Sequence, residues 1–495
     1  MSINAASVPH KVDIIVVGGG GAGLAAAIEA AAAMHNVLLI EKEPKLGGTT
    51  ARSVGSITAS ATDLQREAGI VDSPSQHFED MPLFAGALAA RDNLDLRRLL
   101  TENSPSTVAW LERLGVVFFG PMPEPPHRVP RMHNVLPNSK AYTYHLGREA
   151  RRLGVHILVN ARAQKLIMNG GRVTGVEVLI NGRFTQIEAS QVILASGDYS
   201  SGRELKEQHL PDSICHIEGI NPASTGNGQR LGLQAGGEIV NGDVVLGPEI
   251  RFIAPPAKTL IEYIPPTRFV ARMLRLSLKF VPSFVLRPFL MMFVTTNLAP
   301  SHALFREGAI LVNKMGQRFV DERDRPQYAI PGQPDRIAYI VFDDTVAKKF
   351  GAWPNFISTA PGLAYAFLSD YKRNRRDIYA QADSIAGLAR ALNVSADNLQ
   401  KTIAEYNTLG KRAPLTKQPF YALGPAKSWI VIADGGLNVD TQLRVLDRNR
   451  CPVPGLFAAG STGQGGLLLE GHGHHLGWAF TSGRIAGRNA AAQFT

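Results

Sequence analysis

Two stretches of this 495-residue chain have residue types and spacing that suit them to chemistry. Near the start, Gly18-Gly19-Gly20-Gly21-Ala22-Gly23 satisfies G-x-G-x-x-G through Gly18, Gly20 and Gly23, and Glu41 follows Gly23 by 18 residues. In such a loop one glycine permits a tight turn, one lets backbone approach a pyrophosphate, and one lets a helix pack on a sheet. An acid at that spacing accepts hydrogen bonds from a ribose. Near the end, Glu470-Gly471-His472-Gly473-His474-His475 places three imidazoles beside a carboxylate. Imidazole is the side chain that exchanges protons near neutral pH. Two cysteines, Cys215 and Cys451, leave no Cys-x-x-Cys and no disulfide framework.

The elements around the glycines are readable from their residues. Residues 12–17, VDIIVV, form the continuous β-branched run of a strand buried on both faces. LAAAIEAAAAM then reads as a helix, and VLLIEK as a second strand that closes on Glu41. Strand, glycine loop, helix, strand and acid in that order predict a dinucleotide cradle whose phosphates meet the positive end of the helix.

A third stretch predicts location. Residues 266–300 contain Arg268, Arg272, Arg275, Lys279 and Arg287, five of the chain's ten excess positive charges, and no acid lies between Glu262 and Glu307. The first four cations fall on one helical face among Phe269, Val270, Met273, Leu274, Leu276, Leu278 and Val281. That pattern suits a helix lying in an anionic membrane surface, and Pro282 and Pro288 should split it into shorter pieces. No apolar run reaches the length of a membrane span. The opening residues lack the apolar core of a secretory signal, so a cytoplasmic, peripherally membrane-associated protein is expected. No nucleic-acid motif accompanies the positive charge, and no nucleic-acid partner is expected.

After Glu41, Gly47-Gly48-Thr49-Thr50 resembles the turn that wraps FAD in the flavoprotein family of fumarate reductases, succinate dehydrogenases and ketosteroid dehydrogenases. The resemblance continues through Val192–Gly197, Ser224–Gly228, Gly308–Asn313, Gln317–Glu322, Gly435–Leu437 and Pro454–Gly460. It implies an α/β, Rossmann-like FAD-binding domain from residues 1–240 and 426–495, with an α+β capping substrate domain, 241–425, inserted between. FAD contacts are then expected from Gly18, Gly20, Ala22, Gly23, Glu41, Lys42, Gly48, Thr49, Thr50, Gly55, Ala163, Gly197, Asn227, Gly460, Ser461, Leu476 and Gly477. A helix beginning near Leu476-Gly477 would direct its N-terminal amides at negative charge on the flavin.

The same resemblance narrows the substrate. Where fumarate reductases carry a proton-donating Arg and two substrate-binding cations, this chain has Pro326, Ile432 and His475. Two unpaired carboxylates in such a site would cost several kcal/mol each, so a C4-dicarboxylate is not expected. Gly473 matches a ketone-polarising glycine of ketosteroid dehydrogenases, while Leu469 stands at their tyrosine position. His475 and His472 are the expected proton-handling or carbonyl-binding groups. Tyr328 lies near a catalytic tyrosine position, and Ser301 and His302 replace a substrate-contacting pair. No metal is expected, because the family uses none at this loop.

The expected activity is desaturation next to the carbonyl of an apolar, steroid-like or cyclohexanone-like ketone. An ene-reductase running the reverse reaction, or a membrane-associated FAD-binding scaffold, is the alternative. With no haem, iron–sulfur or second nucleotide site in the sequence, electrons must pass to an external acceptor, a quinone or an electron-transfer protein.

Overall fold

The computed structural model describes residues 8–257, 263–281, 283–360, 364–410 and 412–494. Its central sheet is built on Lys11–Val17 (β1), which pairs in parallel with Val37–Ile40 (β2) on one side and with Arg183–Leu194 on the other. Pro452–Ala458 extends the sheet beyond Arg183–Leu194, His156–Leu158 extends it beyond β2, and antiparallel Arg444–Leu446 closes the edge. Ile14, Ile15 and Val16 are fully buried, which is why this strand carries no polar alternation.

Gly21–Ala32 (α1) follows the glycine loop and packs along the terminal helix His474–Ala491. Glycine and alanine set that contact. A Cβ on Gly483 would lie 2.3 Å from the Ala22 carbonyl oxygen, and one on Gly487 would lie 2.3 Å from that of Ala26. Only small residues allow two helices so close.

The cap has its own sheet, in the order Glu249–Phe252, Phe420–Trp429, Ala338–Phe342, Ile310–Val312, with Tyr379–Ala382 also on Phe420–Trp429. Its core gathers Ile250, Phe305, Ile340, Phe342, Phe350 and Tyr371. Strand Phe420–Trp429 runs past residue 425, with Lys427 and Trp429 paired to Arg251 and Glu249, so the cap sheet extends beyond the expected boundary. A short ladder, Val245–Leu246 with Ile432–Ala433, ties cap to cradle, and a second, Ile239–Val240 with Gly436–Leu437, lies beside it within the cradle.

Residues 268–280 form the expected helix, and a second helix runs Ser283–Asn297. Pro282 lies outside the described residues. Pro288 does not break the second helix, as the sequence suggested. It costs one backbone hydrogen bond, and that helix is held by packing on Leu368–Asn374 and Ala364–Ala366. The first helix straps across to the cradle, lying on Val117–Met122 and Met132–Leu136, with Arg275 paired to Glu67 at 2.8 Å. Among the described residues no helix is long and apolar enough to cross a membrane.

Candidate active site

The glycine loop follows from sterics. A Cβ on Gly23 would sit 1.8 Å from the Gly18 carbonyl oxygen, so α1 can start here only with glycine. Gly20 is different: its backbone is extended, and a Cβ would meet nothing nearer than the Gly47 oxygen at 3.9 Å. It faces a long cavity. Glu41 accepts from the Gly19 and Glu43 amides at 2.7 and 2.8 Å, so the expected ribose ligand also braces the loop. Thr50 Oγ1 accepts from the Gly21 amide at 3.1 Å and fixes the helix start. Lys42 donates to Thr225 Oγ1 at 2.7 Å and Asn227 Oδ1 at 3.3 Å, and its burial lowers the ammonium pKa. Thr462 donates to the Gly197 carbonyl at 2.8 Å.

The cavity runs from Glu41, Lys42 and Ala163 past Gly18, Gly20 and Ala22, then Gly48, Thr49 and Thr50, to Gly197, Asn227, Gly460, Ser461 and Leu476. Three expected contacts do not line it. Gly23 is spent on helix packing. Gly55, at φ +90°, accepts from Tyr142 Oη at 2.8 Å, and a Cβ there would strike Val135. Gly477 lies inside the terminal helix, its amide donating to the Gly473 carbonyl at 2.9 Å. Two helix N-termini, open glycine surface and a buried acid fit an extended dinucleotide.

At the inner end stand His475 and Ile432. His475 Nε2 is 2.8 Å from Asp434 Oδ1, and the carboxylate is 1% exposed. Asp434 can only accept, so Nε2 carries the hydrogen, and Nδ1 has no protein partner among the described residues. Burial opposes a charge on His475, but Asp434, with Glu470 and Asp198, outweighs it and raises its pKa. Glu470 in turn is raised by burial and by Asp434.

The other expected site residues scatter. His472 receives Glu124 on its amide at 2.8 Å and on Nδ1, a bond that raises its pKa, and it does not line the cavity. Gly473, at φ +89°, caps the terminal helix while its carbonyl accepts from the Thr58 amide at 3.3 Å. His474 turns away into a buried cluster with His77 and His127. Tyr328 packs on Leu210, Ile214, Ile217 and Ile430, away from the cavity lining. The Ser301 amide is held by the Ile357 carbonyl at 2.6 Å, and His302 starts a short cap helix with its ring against Phe305. Neither lines the cavity.

Asp434 escaped the sequence reading although it directly precedes Gly435-Gly436, and an acid entering a glycine pair beside a cofactor strand was the available signal. Glu124 carried none, since its partner lies 348 residues away.

A Rossmann-type cradle, an inserted cap and an acid–base pair where the two meet define a flavoprotein oxidoreductase. The chain belongs to the family described as FAD binding domain, matched over residues 13–263 and 284–468, and FAD is its cofactor. It is similar to the probable fumarate reductase Ifc3 of Shewanella frigidimarina (strain NCIMB 400), 26% identical over 92% of this chain and 71% of that protein. It is also similar to the 4-oxocyclohexanecarboxylate 2-dehydrogenase of Sinomonas cyclohexanicum, 24% identical over 69% of this chain and 59% of that one. Among solved structures, the open conformation of a flavocytochrome c3 fumarate reductase superposes with a TM-score of 0.74 at 25% identity, covering 99% of this chain and 79% of that one. The family match omits residues 264–283, which carry the strap helix.

Proposed function

We propose that this protein desaturates an apolar cyclic ketone, steroid-like or cyclohexanone-like, at the bond next to its carbonyl. The observation that carries this reading is the His475–Asp434 pair at the inner end of the cavity. Its Nδ1 lone pair is the free base, and Asp434 stabilises the imidazolium formed when it takes the α-proton. Bound FAD supplies the two-electron acceptor for the β-hydride. His472, on the loop that carries His475 and held by the distant Glu124, is the candidate donor to a ketone oxygen that reaches beyond the cavity lining. The cations lining the cavity, Lys42 and Arg162, lie at its Glu41 end, which gives a dicarboxylate no counter-charge by His475. A relative named for dehydrogenating a ring ketone adds support.

Anaerobic mixing with a 3-ketosteroid or cyclohexanone tests the reading: the flavin absorbance of the holoenzyme bleaches. If the oxidised enzyme is unmoved by ketones while its dithionite-reduced form is rapidly oxidised by an enone, the protein is an ene-reductase. Rapid oxidation by fumarate would overturn the ketone assignment, and inertness in both directions would leave an electron-transfer or scaffold flavoprotein.

The strap helix supports a membrane source for the substrate. Its inward side buries Ala271, with Val270, Leu274 and Leu278 half-buried, while Phe269 (74%), Met273 (51%), Leu276 (52%) and Phe280 (70%) remain exposed in one stripe. Arg268 and Arg272 are exposed beside that stripe. The side chain of Lys279 lies outside the described residues. The sequence left open which side of the helix faces the fold. Packing aims the apolar stripe outward and ties Arg275 to Glu67. Sinking each phenylalanine into an acyl layer is worth on the order of 2 kcal/mol, and each cation near anionic headgroups about 1 kcal/mol. A 1340 Å³ cleft lined by Pro266, Phe293 and Thr296 shares Gly48, Ser53 and Asn221 with the FAD cavity, and Arg52, Arg148 and Arg151 rim it.

Vesicles rich in phosphatidylglycerol are expected to sediment the protein at low salt. The double variant Phe269→Ser/Phe280→Ser should lose at least tenfold in affinity while keeping its FAD. Wild-type protein that stays in the supernatant would reassign the helix to a lid or subunit contact. FAD reduced by the substrate would then pass its two electrons to an external acceptor, a quinone or an electron-transfer protein.

A further inference from the structure

We propose that His77, His127 and His474 form a binding site for one divalent transition-metal ion of the zinc class, which anchors the 470–475 loop to the cradle. The three rings come from a helix (Pro74–Asp80), the segment preceding strand Met132–Leu136, and the first residue of the terminal helix. All are buried, at 0%, 8% and 0% exposure, and one nitrogen from each lies within 4.8 Å of the other two.

Their geometry fits an ion. His77 Nε2 and His474 Nε2 are 3.2 Å apart. Two tetrahedral bonds of about 2.0–2.1 Å place their nitrogens about 3.3–3.4 Å apart. His474 Nδ1 donates to the Glu470 carbonyl at 2.6 Å, which leaves the Nε2 lone pair facing the cluster, the second-sphere bond that metal-bound histidines make. His127 Nε2, the atom that would take the ion, is buried without any partner. Such a nitrogen costs about 1–3 kcal/mol if nothing satisfies it.

His127 would change its bond on loading. Its Nδ1 now accepts from Arg131 Nη1 at 2.9 Å, and Asp80 Oδ2 lies 3.9 Å from the same nitrogen. With the metal on Nε2, Nδ1 carries a hydrogen and turns to Asp80, completing a carboxylate–histidine–metal arrangement. Charge is also provided for: Asp72, Asp80 and Glu79 outnumber Arg131 and Arg128, and Glu124 Oε2 is buried without a partner. All three imidazoles are buried nitrogen donors with few charged neighbours besides the Asp72, Asp80 and Arg131 group. Neutral nitrogen donors select zinc, cobalt, nickel or copper over magnesium or calcium. Phe84, with its ring 4.6 Å from His127 and 5.8 Å from His474, keeps the site dry.

His474 sits between His472 and His475, so a metal here would fix the loop that carries both. This inference stands whichever substrate the enzyme takes. The test is metal analysis of the holoenzyme after incubation with Zn²⁺ and desalting, beside a Co²⁺ titration followed by its visible d–d bands. About one equivalent of zinc and a cobalt spectrum saturating at one equivalent are expected, with EDTA lowering the Tm and speeding amide exchange at 470–475. His77→Ala and His127→Gln should each lower retained zinc at least tenfold. Retained zinc well below one equivalent overturns the site, as does stoichiometric zinc that folded variants still hold. Should both variants fail to fold, a wild-type cobalt titration without d–d bands overturns it alone.

Discussion

Replacing His475 by alanine is expected to leave FAD bound and to lower turnover on a cyclic ketone by about two to three orders of magnitude, the usual worth of a positioned acid–base group. His475 lines the cavity at its inner end, and its Nδ1 has no protein partner among the described residues. The imidazole lines the cavity without bracing the glycine loop, so the flavin spectrum and stoichiometry of the variant should match wild type. Asp434 acts through His475. Asp434→Asn should therefore lower kcat with little change in KM, because an amide can present its N–H to Nε2 and favour the tautomer that has no free base at Nδ1. Asp434→Glu should recover part of the loss. Wild-type turnover in His475→Ala would remove the pair from the chemistry. A fall in Asp434→Asn that the glutamate does not relieve would assign Asp434 a packing role only.

Two neighbouring glycines should fail in different ways. Gly23→Ala places a methyl 1.8 Å from the Gly18 carbonyl oxygen, both backbone-bound, so the first strand–helix unit cannot close and insoluble or unfolded protein is expected. Gly20→Val meets no protein atom within 3.9 Å of its Cβ and keeps an extended backbone, so the chain should fold with near-normal circular dichroism. Its side chain enters the FAD cavity instead, and a loss of about 3 kcal/mol, roughly two orders of magnitude in Kd for FAD, is expected. Wild-type FAD affinity in Gly20→Val would mean that the dinucleotide does not pass this point. A stable, soluble Gly23→Ala protein would mean that the helix can start elsewhere.

The cradle was legible because its causes are local. A β-branched run closed by a glycine loop reads as a buried strand, and Gly23 answers a steric demand set within one turn by the Gly18 carbonyl. Most expected FAD contacts therefore line the cavity, and those that do not, such as Gly23, still serve the packing of the loop. The cationic helix was legible for the same reason, since 3.6-residue periodicity is a property of the segment itself. Which side of it faces out was not. The buried Ala271 and the Arg275–Glu67 pair fix that side, and the second partner lies 208 residues away.

The chemistry belonged to the tertiary structure. His472, His474 and His475 are adjacent in sequence, yet helix rotation and a left-handed Gly473 send one to Glu124, one to His77 and one to Asp434. Tyr328, expected at the site from its nearness to the family's tyrosine position, packs on Leu210 and Ile214 instead. Sequence determined a strand–loop–helix fit for FAD, because steric rules act over a few residues. Only the fold decided which imidazole meets which carboxylate, because such a pairing is set by how distant elements pack.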